Sequence, residues 1–189
     1  IKPDDAMRAR VERVLADPAQ SRAHMDVLAN WGAEILRLLT PEDSPAREAM
    51  ARRFDAALSR LEADTTLSRG DRLQALIARI GVARADQGKD VRQPRLSAAL
   101  AQRAKDTTAA LDREVTDGYE RQAVITSAAY MLGQAGLWDE SDALLKGNLA
   151  RSHSPYYLMS QLGSNARKLG RADEALRWYQ QAFDRSEGP

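Results

Sequence analysis

Apolar residues recur every three to four positions along this chain and nowhere alternate with polar ones, which is the period of amphipathic helices and not of strands. Met7, Val11, Val14 and Leu15 share one face of a first helix that begins near Pro3 and that Asp17-Pro18 interrupts. From Gln20 to Leu39 the positions Met25, Leu28, Gly32, Ile35, Leu36 and Leu39 predict one long helix, with Trp31 beside the stripe and assigned to the core. Thr40-Pro41 ends it. Ser44-Pro45 starts a helix carrying Met50, Phe54, Ala57, Leu58 and Leu61; Ser68 and Asp71 form a capping pair ahead of Leu73, Leu76, Ile77 and Ile80, a run that Gly88 closes. After Pro94 come Leu96, Leu100, Ala104, Thr107 and Leu111. Asp117-Gly118 ends that element, and Asp117 with Glu120 is placed to cap the next, which holds Val124, Ala128, Met131 and Leu132. The expected fold is all-α, with seven or more antiparallel helices joined by short Pro/Gly turns.

From Gln122 onward one helical hairpin is written twice. Gly136, Asp139 and Glu140 return 34 residues later as Gly170, Asp173 and Glu174; Arg151, Ser152 and Pro155 return as Arg185, Ser186 and Pro189. In the second copy Ser154-Pro155 opens a helix with Tyr157, Leu158, Leu162 and Leu169 near one stripe. A left-handed Gly170 closes it, with Arg167 and Lys168 at the negative end of the helix dipole. Asp173 and Glu174 start the following helix, whose expected buried stripe is Ala175, Leu176, Tyr179, Ala182 and Phe183. Gly163 and Ala175 are expected at the closest approach of the two helices, with Tyr179 and Ala182 facing the neighbouring hairpin.

Leu162-Gly163, Gly170, Ala175, Tyr179 and Ala182 stand where the tetratricopeptide repeat places its characteristic residues, and the spacing is that repeat's period. This region therefore resembles a tetratricopeptide-like solenoid. The preceding unit keeps Gly136 but has Ala128-Ala129, Ser141, Leu145 and Asn148 at the matching places. The organisation expected is 1–116 as a helical bundle or degenerate repeats and 117–189 as two tetratricopeptide-like repeats. In such stacks the first helix of each unit lines the binding face. The candidate partner-binding residues are accordingly Thr126, Tyr130 and Gln134 in one unit and Tyr157, Ser160, Ser164, Arg167 and Lys168 in the next. Tyrosines and small polar residues suit aromatic contact with adaptable hydrogen bonding, and the two cations suit an acidic side chain or a peptide carboxylate. The plainer reading is that Arg167 and Lys168 only complement a helix C-terminus and that the tyrosines pack internally.

Composition narrows the chemistry. Net charge is +1 with both signs interspersed, so no electrostatic footprint for nucleic acid appears, and no apolar run has the length of a membrane span. Cysteine is absent, which removes disulfides, thiolate metal sites and a cysteine nucleophile from these residues. His24 and His153 stand far apart without metal-ligand spacing. No serine sits in a strand-turn-helix context, and no Gly-rich phosphate loop is present. No catalytic residue, metal or cofactor is assigned.

The runs Trp138-Asp-Glu-Ser-Asp-Ala-Leu-Leu, Arg151-Ser-His-Ser-Pro-Tyr-Tyr-Leu-Met and Ala175-Leu-Arg-Trp-Tyr-Gln-Gln-Ala-Phe, with Glu187-Gly-Pro, resemble the helical C-terminal region of proteobacterial thioredoxin-like proteins. The likeness covers chiefly Asp117 to Pro189. It implies an accessory domain to a thioredoxin-like domain outside this chain, without thiol-disulfide exchange of its own, in an exported parent of the periplasm or cell envelope; a cytoplasmic parent is the alternative. The start at Ile1 is that of a processed product or an excised piece. The functional expectation is a protein- or peptide-binding repeat domain. A structural or self-association module without a client groove is the alternative.

Overall fold

The computed structural model describes residues 3–88 and 91–186. Among them are ten α-helices and no strand. The start at Ile1 and the matches at Glu187, Gly188 and Pro189 lie outside the described residues. The chain divides into two compact units, Ile1–Lys89 and Asp90–Pro189. The boundary expected at 116/117 falls inside the second unit, because the helix before that line packs on the helix after it.

The first unit holds α1 (Pro3–Ala16), α2 (Pro18–Ala23), α3 (Met25–Leu39), α4 (Pro45–Ala63) and α5 (Arg69–Ala83). Its helices gather about α4, which packs against α1, α2, α3 and α5. Phe54, Ala57 and Leu58 of α4 are fully buried, and Gly32 of α3 lets the Phe54 ring lie 3.3 Å from where a Cβ would stand. Each large apolar side chain buried this way contributes about 1.5–3 kcal/mol. The capping chemistry expected at Ser44 and Ser68 is present: their hydroxyls accept from Arg47 N and Asp71 N, each at 3.1 Å.

Four expectations for this unit change. The long helix from Gln20 breaks at His24 (φ −106°, ψ 21°), because α2 is held to α1 by Ser21 Oγ donating to Val14 O at 2.6 Å while α3 packs on α4 and α5. Trp31 is 58% exposed, since it lies on the Val27–Leu38 side of α3, opposite the buried Leu28, Gly32, Leu36 and Leu39. Met7 is likewise largely exposed, unlike Val11, Val14 and Leu15 on the same helix. Finally, α5 ends at Ala83, with Arg84 and not Gly88 closing it.

The second unit holds α6 (Ala98–Glu114), α7 (Tyr119–Gln134), α8 (Trp138–Asn148), a 3-10 turn (Leu149–Arg151), α9 (Pro155–Lys168) and α10 (Ala172–Arg185). Each helix packs on the next in order, and α7 also touches α9. Arg121, in the first turn of α7, is 3% exposed and binds the end of α6: Nη1 donates to Asp112 O at 2.9 Å and to Val115 O at 2.7 Å. Its Nε and Nη2 reach Asn148 Oδ1 on α8 at 3.0 and 2.7 Å, so one side chain joins three helices. Arg47 does the same work in the first unit, donating to Arg37 O and Thr40 O at the end of α3 and to Asp86 Oδ1.

Here too some sequence expectations give way. Gly118 (φ 135°), not Asp117, is the N-cap of α7, and Asp117 pairs instead with Arg151 Nη2 at 2.8 Å. The Ser154 hydroxyl makes no capping bond; Pro155 alone sets the first turn of α9. Tyr179 faces its own hairpin and not the neighbouring one: its ring lies 3.0 Å from where a Gly163 Cβ would stand. It is 37% exposed, and Leu176 and Phe183 are 62% and 74% exposed, because no described helix covers that side of α10.

Candidate functional site

The candidate residues stand on α7 and α9, and the local sequence explains their register. Gly136 N donates to Gly133 O at 2.9 Å and Leu137 N to Leu132 O at 2.8 Å; Gly170 N donates to Arg167 O at 3.0 Å and Arg171 N to Ala166 O at 2.8 Å. Both helices thus end in the same left-handed glycine motif, which fixes the angle at which α8 and α10 leave. Thr126, Tyr130 and Gln134 then correspond, 34 residues on, to Ser160, Ser164 and Lys168. The two helices are tied at mid-height by Gln161 Nε2 donating to Thr126 O at 2.9 Å. Near their N-terminal ends Ser152 Oγ donates to Gln122 Oε1 at 2.5 Å.

Tyr130 and Tyr157 are 49% and 57% exposed, so neither is a core residue, and Tyr157 leaves the buried stripe first assigned to it. Thr126, Gln134, Ser160 and Ser164 are half-buried, while Arg167 and Lys168 are exposed and have no ion-pair or side-chain hydrogen-bond partner among the described residues. The Thr126 hydroxyl is spent within α7, donating to Gln122 O at 2.9 Å. The Tyr156 and Tyr157 rings lie 4.4 Å apart. The neighbouring Tyr156 hydroxyl, with a smaller part from desolvation, pushes the Tyr157 hydroxyl above the ordinary phenol range. Tyr119, 91% exposed, rests 6.0 Å from the His153 ring, adding aromatic surface at the start of α7.

One signal in the sequence escaped the repeat-based selection. Residues 122–134 and 152–166 contain no Asp, Glu, Lys or Arg in a chain that is 29% charged. Those runs include the exposed Ala123 and the half-buried Gln122, Ser127, Tyr156 and Gln161 as well as the buried positions. An outward surface that tyrosine, serine, threonine and glutamine occupy without charge has the make-up of an interface core, where charged residues are depleted.

Other chemistry is sparse. No group of three or more His, Asp or Glu is placed to hold a metal among the described residues, and no helix there is long and apolar enough to cross a membrane. A cavity of about 350 Å3 opens between α6 and α8, lined by Thr108, Ala109, Leu132, Ala143 and Leu144, with the Lys105–Glu140 ion pair (3.7 Å) at its rim. Comparison with protein-family models, curated proteins and solved structures gives no match to this chain.

Proposed function

We propose that residues 117–189 form a tetratricopeptide-like pair of hairpins, α7 with α8 and α9 with α10, that binds protein or peptide across the shared face of α7 and α9, as an accessory to a thioredoxin-like domain outside this chain. The observation that carries the binding reading is the charge-free face holding Thr126, Tyr130, Tyr157, Ser160 and Ser164, which ends at the unpaired Arg167 and Lys168. Hydroxyls and tyrosine rings meet an extended chain through adaptable hydrogen bonds and flat apolar contact, at small entropic cost. Two unpaired cations at one end favour a segment whose acidic side chain or terminal carboxylate lies there. The matching glycine closures 34 residues apart support the repeat reading. The thioredoxin association rests on the sequence resemblance of the 117–189 region.

The test is selection from a random peptide library on the full chain, followed by affinity measurement on the selected sequences. Tyr130→Ala with Tyr157→Ala is expected to weaken those peptides at least about tenfold, or 1.4 kcal/mol, with helicity and melting temperature unchanged. Arg167→Ala with Lys168→Ala is expected to weaken only peptides with an acidic end. Unchanged affinity in the folded tyrosine double variant overturns the face, and the structural or self-association module then becomes the better reading.

A further inference from the structure

The cavity between α6 and α8 is a slot closed at both ends. Thr108 and Ala109 line it from α6, Ala143 and Leu144 from α8, and Leu132 from α7. At one end Lys105 Nζ lies 3.7 Å from Glu140 Oε1; at the other Asn148 Nδ2 donates to Asp112 Oδ1 at 3.4 Å. The helix from Lys105 to Asp112 gives it a length of about 10 Å. Its volume of about 350 Å3 is that of a small-molecule site. Neither end offers a net charge, because Glu140 offsets Lys105 and Arg121 offsets Asp112.

The next hairpin shows what shape fits such a slot. α6 ends at Glu114 and α8 at Asn148, so the 34-residue register that carries α8 onto α10 also carries α6 onto α8. It sets Leu144 against Trp178 and Thr108 against Asp142. Trp178 is half-buried, and its ring centre lies 5.9 Å from Lys146 Nζ, so an indole of α10 leans on α8. The shorter Leu144 of α8 leaves room of that kind beside α6. Polar pairing differs in the same way. Asp142 accepts from Asn165 Nδ2 at 3.0 Å, but α7 has Met131 where α9 has Asn165, and Thr108 Oγ1 is buried without a hydrogen-bond partner. The two χ1 rotamers open to a helical threonine exchange the hydroxyl with the methyl, which turns Oγ1 towards an occupant without changing the side chain's shape.

We propose that this slot binds a small uncharged aromatic molecule of about two fused rings carrying one N–H or O–H. The rings lie among Ala109, Leu132, Ala143 and Leu144, and the polar hydrogen is donated to Thr108 Oγ1.

The probes are indole and indene, which share a shape and differ in the N–H, titrated separately into the full chain with methyl groups followed by NMR. Saturable shifts are expected at Ala109, Leu132, Ala143 and Leu144, with indole bound about tenfold more tightly than indene, the ratio given by one buried hydrogen bond. Thr108→Val is expected to remove that preference and leave indene binding as it was. Leu144→Trp, which gives α8 the residue that α10 carries, is expected to abolish binding of both probes with circular dichroism unchanged. Tyr130→Ala with Tyr157→Ala, on the α7/α9 face, is expected to leave both titrations as in the parent, so this site and the peptide face fail or stand separately. Shifts that do not saturate or that centre elsewhere, equal affinity for the two probes, or a preference that survives Thr108→Val overturns the proposal.

Discussion

Gly136 and Gly170 share one backbone conformation, φ +75° at each, yet they sit in unequal surroundings. A Cβ on Gly136 would stand 2.8 Å from Pro94 Cδ and 3.2 Å from Arg92 O, whereas at Gly170 the nearest group is the Arg92 guanidinium at 3.5 Å. The segment before α6 explains the difference. It runs past both turns, with Trp138 Nε1 donating to Arg92 O at 2.8 Å and Arg92 Nη1 donating to Leu169 O at 3.3 Å.

Alanine at these two glycines therefore separates conformational from steric cost. Gly170→Ala is expected to lose about 1 kcal/mol, the left-handed penalty alone. Gly136→Ala should lose about 1–3 kcal/mol more, the usual cost of forcing atoms into a filled space. Urea unfolding of the two variants checks this. Equal losses would mean that Pro94 moves aside freely.

Arg121 offers a prediction about burial. Replacing it with methionine keeps the apolar stem but leaves Asp112 O, Val115 O and Asn148 Oδ1 without their donor. The expected loss is about 3 kcal/mol or more, as for breaking one side of a buried charged network. Arg121→Lys should recover little of it, because one ammonium cannot reproduce donors spread over a planar fork. A lysine variant as stable as the parent would assign the guanidinium bonds no net role.

What the sequence made legible was local. Pro18, Pro45, Pro155, Ser44, Ser68, Gly136 and Gly170 act within a turn of their own position, and the helix ends they mark are where the pattern put them. The all-helical class followed from period alone. The His24 break was invisible because no proline or glycine marks it; the cause is Ser21 reaching back to Val14, a tertiary contact. Leu176, Phe183 and Trp31 were assigned to the core because periodicity identifies an apolar side without telling whether anything lies against it. On the candidate face, the rule that the first helix of each unit lines the binding side selected Tyr130 and Tyr157, both exposed, but missed the missing charges, which are a property of whole runs and not of single positions.

Asp64 gives a pH dependence with a definite sign. Its carboxylate accepts from Thr66 Oγ1 at 2.6 Å and Thr66 N at 2.9 Å and is paired with Arg22. The Thr66 hydroxyl first, then the Thr66 amide and the Arg22 charge, hold its pKa below the ordinary carboxylate value. A carboxyl depressed by folding stabilises the fold while ionised, above about pH 3.9, and stops doing so as pH falls through the lower folded value. Asp64→Asn is thus expected to melt below the parent at pH 6 and to converge with it as pH falls through that lower folded value. A constant gap across that range would show that the aspartate acts by shape and not by charge.

Thr108 is the place where removing a polar group should help. It is 6% exposed on α6, and its Oγ1 is buried without a hydrogen-bond partner beside Leu132 and Leu144. An unmade buried hydrogen bond costs about 1–3 kcal/mol, and valine copies the threonine shape with a methyl in place of the hydroxyl. Threonine and valine have nearly the same helix propensity, so α6 itself should be indifferent to the exchange. Thr108→Val is expected to raise stability by about 1 kcal/mol in urea unfolding with an unchanged slope. Thr108→Ser, which keeps the hydroxyl and deletes the methyl, should lower it. A valine variant less stable than the parent would mean that the hydroxyl is satisfied in solution, by a water in the α6/α8 cavity or by a carbonyl of the preceding turn, and the cavity would then count as a hydrated site and not a dry one.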